Sequence, residues 1–318
     1  MRITIATSPA EIDRLLPVWE RLYSPAQQSA FQQFKLNRLA AAHFSDREIP
    51  HVVMAESDSS AALIPAAIRQ SNGEITLLGE TLFDYRDVLH AGSNEALDAA
   101  WTEIATLNRP LSFVAVLPHA QDRWTAIPTA SFANAPCVRQ QDIDCDEFRA
   151  AHNKLGMYYR RIIKRGAHLH VHSGRDRNLV RTIYERKASQ FPLEANNVFL
   201  DPHRREFMTF ACEALGEHCE IFTLELGPQL VAALVTLREH SVRRFYTIYF
   251  DPAWSKFSPG VALIYEVTAR TLAEGLDCDY MTGEYGYKNR LATAMVPLLR
   301  VEATAEQLAQ TSSRRRAA

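Results

Sequence analysis

Polar and apolar positions along the chain switch between a period of two and a period near 3.6, and the switches recur in the same order twice. Arg2–Ala6 alternates like a strand, and Ser8-Pro9-Ala10-Glu11 forms a capping box with proline at the first helical position, predicting a helix to about Tyr23. A second helix is expected near Ala30–Phe44. His51–Glu56, Ala61–Gln70 and Glu74–Leu78 read as strands joined by the polar turns Asp58-Ser59-Ser60 and Ser71-Asn72-Gly73. Phe83-Asp84-Tyr85-Arg86-Asp87 precedes a helix near Asn94–Leu107 and an apolar strand at Leu111–Leu117. In the second half His168–His172 is a strand, Arg177–Phe191 and Pro202–Leu215 are helices, and Cys219–Leu226 with Leu230–Glu239 forms a hairpin. The repetition predicts a degenerate internal duplication, with Phe83-Asp84 standing where Phe250-Asp251 stands in the second copy.

The second copy carries the most informative stretch, Arg243–Thr293. Phe245–Phe250 is an unbroken run of aromatic and β-branched residues, the pattern of a central strand covered on both faces. Asp251-Pro252 ends it, because proline brings no N–H to the ladder. Ser258-Pro259-Gly260 then opens a helix, with serine as the cap and proline first, and Val261, Ile264, Tyr265, Thr268 and Leu272 recur at helical spacing up to Gly275. Asp277–Met281 reads as a second buried strand. A helix start directly after a central strand presents unpaired N–H groups and a positive dipole end, which suits a phosphate or carboxylate. Equally, Gly260 can serve only to let the helix pack closely on the sheet.

Tyr246, Tyr249–Pro252, Trp254, Ser258–Gly260, Leu263, Tyr265 and Glu266, followed by Gly283, Glu284, Tyr287 and Lys288, resemble the GNAT acyltransferase superfamily. Within it they are similar to the CelD-like branch linked to cellulose and exopolysaccharide biosynthesis. The resemblance implies an α/β (α+β) chain of two tandem GNAT-like domains, each a mixed, mostly antiparallel sheet flanked by helices, as in Fem-type transferases. A degenerate domain is expected over residues 1–150, the acyltransferase domain over 151–305, and a disordered basic tail over 306–318. Acyl-CoA is implied as co-substrate, its pantetheine arm beside Tyr249 and Phe250 and its pyrophosphate near Lys256, Phe257, Ser258, Gly260, Val261 and Ala262. Glu284 is implied as base, Tyr287 as acid, and Lys288 as a ligand for phosphate or carboxylate; alternatively Tyr287 and Lys288 anchor the loop. Asp84, Arg86 and Tyr285 are expected to meet the acceptor. The usual phosphate loop runs Gln or Arg, two residues, Gly, one residue, Gly or Ala. Here Phe257 stands first, Gly260 and Ala262 match, Lys256 lies one residue early, and Pro259 lacks an N–H.

Composition refines this picture at a few points. The 318 residues, 47% of them hydrophobic, suffice for two cores, and a net charge of −2 makes no case for bulk nucleic-acid binding. No apolar run approaches the ~20 residues of a membrane span, and Met1–Ala10 lacks a signal-peptide core, so a cytoplasmic protein is expected. Five cysteines without a C-x-x-C pair indicate neither a disulfide framework nor a zinc site. Charge is local: Lys154–Lys187 carries ten Lys or Arg against Asp176 and Glu185. Such a run is a solvated helix face, or the seat of an anion such as a CoA phosphate, a nucleotide-linked sugar or tRNA. His168, His170 and His172 share one strand face, but no acidic or thiol partner is evident, so no metal is expected. The expected function is acyl-CoA-dependent transfer to an amine or hydroxyl of a sugar, lipid or peptide precursor. An aminoacyl-tRNA-dependent Fem-like transferase and a non-catalytic assembly protein of polysaccharide biosynthesis are the alternatives.

Overall fold

The structure, a computed structural model, describes residues 1–118, 120, 127–190, 197–283 and 285–317. Strand β1 (Arg2–Ala6) leads into α1 (Pro9–Asp13), where Ser8 accepts from the Glu11 N–H and Glu11 reaches back to close the expected capping box. The predicted single helix to Tyr23 is interrupted; Pro17 sits in the first turn of a second one, α2 (Leu16–Leu22). Then come α3 (Phe34–His43), β2 (Glu48–Glu56), β3 (Ser60–Arg69), β4 (Ile75–Leu77), β5 (Leu89–Gly92), α4 (Asn94–Thr106) and β6 (Leu111–Val116). The chain continues through β7 (Thr129–Val138), α5 (Cys145–Ala151), α6 (Asn153–Ile163), β8 (His168–Ser173), α7 (Arg177–Gln190) and α8 (Pro202–Leu215). It ends with β9 (Cys219–Leu226), β10 (Gln229–Arg238), β11 (Val242–Phe250), α9 (Pro259–Ala273), β12 (Asp277–Asp279), α10 (Gly286–Leu291), β13 (Ala294–Ala303) and α11 (Ala305–Ala317).

Two units result, Met1–Ala133 with Pro297–Ala318, and Asn134–Val296. The expected boundary at residue 150 therefore moves to 133, and the closing segment returns to the first unit. Its expected disordered tail is helical from Ala305 to Ala317, with Leu308 buried in the core under α4.

The ladders of the two units repeat one another. In the first the strand order is β1-β2-β3-β4-β6-β13, with β5 on β3; in the second it is β8-β9-β10-β11-β12-β7. In both, three antiparallel steps are followed by one parallel step and a final antiparallel one. Each unit is thus a mixed, mostly antiparallel sheet flanked by helices, and the strand that completes each ladder comes from outside the consecutive series. The parallel step needs a crossover helix, which α4 and α9 supply. Helix α9 is buried on nearly every side against Phe222, Leu234 and Phe245, whereas α4 packs Leu97, Trp101 and Ile104 on Phe113 and Ile64.

One buried carboxyl interrupts the first core. Glu48 of β2 accepts from the N–H groups of Gly79 (3.3 Å) and Glu80 (3.2 Å), while its other oxygen has no hydrogen-bond partner among the described residues. Burial raises its pKa to about 7, against the opposing pull of Arg86. A folded-state pKa above the unfolded value means the carboxyl weakens the fold increasingly as pH rises from about 4.5 to 7. Glu48→Gln should therefore stabilise the protein by about 1–3 kcal/mol at about pH 8 and by much less near pH 5, read from thermal unfolding. A larger gain at the lower pH would contradict the assigned sign.

Candidate functional site

In the second unit the sheet opens. Strand β12 pairs with β11 at Val242↔Asp277, Arg243↔Cys278 and Arg244↔Asp279, and this ladder goes no further. Charged side chains hold its rungs. Arg243, fully buried, donates to Glu220 (2.6 and 2.9 Å), Thr271 (2.6 Å) and Glu274 (3.1 Å). Arg244 pairs with Glu239 (2.8 Å) and with Asp279. The Asp279 carboxylate also accepts from the Met281 N–H (2.7 Å), and Met281 takes a left-handed φ of 57°, so the chain leaves the sheet here. The expected strand to Met281 ends at Asp279 for that reason.

On its other edge β11 carries a bulge. Val235 pairs with Thr247 and Thr236 with Phe245, leaving Tyr246 as the extra residue. The bulge resets which side chains face which helix. Phe245 packs edge-on against Tyr280, and beyond the bulge Ile248 and Phe250 lie under the start of α9. Tyr246 reaches Met208 of α8, and Thr247 meets Tyr184 of α7, on the opposite face.

A cavity of about 280 Å³ occupies the gap. Its walls include Phe245, Tyr246, Thr247 and Ile248 of β11, Ile264 of α9, and Tyr280, Thr282, Gly283, Tyr285, Tyr287 and Lys288; Lys187, Asn197, Val198 and Phe199 form the wall on the α7 side. A second cavity of about 350 Å³ lies at the start of α9, lined by Ser258, Val261, Lys154, Tyr158 and Arg290. Tyr287 lines both. Burial, with a smaller push from Tyr285, raises the pKa of its phenol, so the group stays protonated at neutral pH.

The residues singled out in the sequence are distributed unevenly around this opening. Tyr285, 54% exposed, stacks on Tyr287 at the rim. Lys288 is buried and donates to the carbonyls of Thr282 (2.6 Å) and Met281 (3.5 Å), which makes it an anchor of the loop it was expected to arm. Glu284 lies outside the described residues. Tyr249 and Phe250 turn to opposite faces and are not among the described lining residues of the cavity, which takes Phe245–Ile248 instead. Tyr249 is buried, and burial raises its pKa against the lowering effect of Arg186.

At the helix start, Ser258 makes no capping bond; it takes a left-handed φ of 51°. Ala262 is buried, and its N–H bonds the Ser258 carbonyl (3.0 Å), whereas Val261 faces the second cavity. A Cβ on Gly260 would meet Phe250 at 3.1 Å and Ile248 at 3.5 Å, so this glycine brings the helix close to β11. Phe257 is covered by the Arg165 guanidinium at 4.4 Å and the Lys256 ammonium at 5.1 Å. In the first unit, Arg86, expected to meet an acceptor, is buried and donates to the carbonyls of Leu77, Leu78 and Glu80; Asp84 beside it is half-buried. Sequence reasoning read Lys187 only as a member of the basic run and missed Asn197 and Tyr280; all three join the site through the fold. It also passed over Arg244 and Asp279, whose opposite charges inside two apolar strands were a readable sign of pairing between them.

Residues 151–289 match the family described as Acetyltransferase (GNAT) domain. The chain carries a GNAT domain. No curated protein matches the sequence. Among solved structures, the C-terminal domain of a putative lysylphosphatidylglycerol synthetase from Agrobacterium fabrum is similar over 96% of this chain and 97% of that one, at 10% identity and a TM-score of 0.60. FemX is similar over 98% and 100%, at 9% identity and a TM-score of 0.57. A tandem GNAT protein from the clavulanic acid biosynthesis pathway is similar over 95% and 98%, at 11% identity and a TM-score of 0.51. At these identities the likeness concerns the fold, and it extends across both units. The GNAT domain occupies the unit that opens.

Gly260 tests the geometry of the helix start. Gly260→Ala asks the Phe250 ring to shift by a few tenths of an ångström and should cost less than about 1 kcal/mol, while Gly260→Val should cost about 1–3 kcal/mol by overpacking, measured by urea unfolding. A valine variant as stable as the parent would mean that α9 does not approach β11 so closely.

Proposed function

We propose that the GNAT domain transfers an acyl group from acyl-CoA to an amine or hydroxyl of a sugar, lipid or peptide precursor. The observation that carries this reading is the parted edge of β11. Beyond Arg244 it borders a cavity open to both helix faces, and an extended amide arm such as pantetheine can pair with a strand edge of this kind. The start of α9 borders the adjoining cavity without a side-chain cap, beside Lys154 and Arg290, and so suits a pyrophosphate. Pro259 removes one donor there, and the two basic side chains add charge in compensation. The CelD-like motif residues, Tyr246 and Trp254 among them, favour an acceptor from cell-envelope or polysaccharide synthesis.

In the transfer the acceptor attacks the thioester carbonyl; its bond to carbon forms, the C–S bond breaks, and the sulfur leaves as a thiolate. The acceptor proton passes to a base, for which the motif offers Glu284. Tyr287, standing between the two cavities, donates a hydrogen bond to the departing sulfur. Its raised pKa keeps it a donor but makes full transfer to a thiol of ordinary pKa ~8.5 unfavourable, so it stabilises the thiolate and solvent completes the protonation. One observation favours a second reading, an aminoacyl-tRNA donor: Lys154, Arg160, Arg161, Lys164 and Arg165 are all exposed along and just after α6, a basic face suited to a phosphate backbone.

Tyr287→Phe should lower kcat by ~10²-fold or more with acetyl-CoA affinity nearly unchanged, and the parent should show no loss of rate from this phenol below about pH 10. Full kcat in a chemistry-limited assay would remove the phenol from the mechanism. Thermal stabilisation by aminoacyl-tRNA and not by acetyl-CoA would select the second reading.

A further inference from the structure

The cavity beside β11 reaches further into its unit than a strand-edge site requires. Leu234, Phe245, Ile264 and Tyr280 border it, yet all four are buried members of the hydrophobic cluster around α9. Leu234 is the informative one. It belongs to β10, one strand in from the parted edge, and pairs with Ile248. Paired residues share a face of the sheet, and Ile248 lies under the start of α9. A space that touches both the parted edge and Leu234 therefore crosses Ile248 beneath α9. Among the described residues this inner arm is apolar. The Tyr280 hydroxyl is held by Thr268 (2.9 Å), whose own hydroxyl donates to the Ile264 carbonyl (2.8 Å), and the Tyr280 ring packs on Phe245.

Of the groups brought together in the transfer, one has matching chemistry. The pantetheine arm carries amides, which a strand edge satisfies and an apolar recess would leave unpaired. An amine or hydroxyl acceptor meets the same desolvation cost there. The hydrocarbon tail of the acyl group meets none. An acetyl group, with its single methyl, would leave most of the arm empty and the lining side chains without packing partners.

We infer that the acyl donor carries a hydrocarbon chain longer than acetyl, seated between α9 and the sheet with its end against Leu234. The inference rests on the acyl-transfer reading and names the acyl class for the same opening. Neighbouring strands lie ~4.8 Å apart, so a chain that starts at the parted edge of β11 and ends over β10 spans roughly 5–10 Å, the length of about four to eight carbons. Each methylene buried on the way strengthens binding about fourfold, until the chain outgrows the arm.

The test uses the full chain, titrated calorimetrically with acetyl-, butyryl-, hexanoyl-, decanoyl- and succinyl-CoA. Hexanoyl-CoA should bind at least about 10-fold tighter than acetyl-CoA, with little further gain at decanoyl-CoA. Succinyl-CoA, which puts a carboxylate at the end of a chain as long as butyryl, should bind more weakly than butyryl-CoA. Leu234→Phe fills the inner end and should erase the preference for hexanoyl over acetyl, whereas Leu234→Ala should move the best-bound chain to greater length; thermal unfolding checks the fold of both. The series on the parent chain decides the matter by itself if Leu234→Phe does not fold. Equal affinity from acetyl to hexanoyl, a gain that continues undiminished to decanoyl, succinyl-CoA binding as tightly as butyryl-CoA, or a length preference that survives in folded Leu234→Phe each overturns the inference. So does a preference erased by Val198→Phe on the α7 side and not by Leu234→Phe, which would place the chain on the opposite face of β11. Failure of every thioester to bind counts against the transferase reading and removes the inference with it, whereas binding that is blind to chain length counts against the acyl class alone.

Discussion

Arg243 and Arg244 stand next to each other inside a sheet, where a guanidinium is costly unless it is paired on the face to which it points. Arg243 finds Glu220, Thr271 and Glu274; Arg244 finds Glu239 and Asp279. Because neighbouring side chains alternate between faces, a slip of one residue would exchange these partners and leave charges buried alone, which fixes the register of β11. The same pairing ends the ladder. Asp279 binds Arg244 and the Met281 N–H together, and the chain then turns out of the sheet. The cavity beside Phe245–Ile248 depends on that early parting of β12 from β11.

The first unit parts at the same step, with β4 and β6 paired only at Ile75↔Leu111, but there the parted edge is met from within the unit. Its parallel step, β4 to β6, stands where β11 to β12 stands in the second unit. Here, however, Glu48 binds the N–H groups of Gly79 and Glu80, and Arg86 takes the carbonyls of Leu77, Leu78 and Glu80. The backbone groups after β4 are thus met by side chains of the same unit. One topology therefore serves two ends, a copy whose parted edge is satisfied by its own side chains and a copy whose edge borders a cavity.

Much of this architecture was legible in the sequence because it depends on period and punctuation. The aromatic run before Asp251-Pro252 is a central strand, and Pro259-Gly260 marks the start of α9, as their local chemistry requires. The bulge was not legible, since a run that is apolar at every position has no period for an extra residue to break. Nor was the placement of β7 and β13, because strand order in the chain does not say which sheet edge a strand will join. Lys187 is more than fifty residues from the motif that names the family, and it reads there as one member of a basic run. Ser258 misleads for a different reason: serine as a residue type favours capping, while the left-handed backbone at this position leaves its side chain out of that role.

The central claim is that the released edge of β11 receives the amide arm of the acyl donor. Hydrogen exchange of the backbone amides, measured with and without acetyl-CoA, addresses it directly. The account predicts increased protection within Phe245–Phe250 and at the start of α9, with little change at Val242–Arg244, where β12 already pairs. Unchanged exchange along Phe245–Phe250 at saturating acetyl-CoA, or protection confined to other strands, would contradict it.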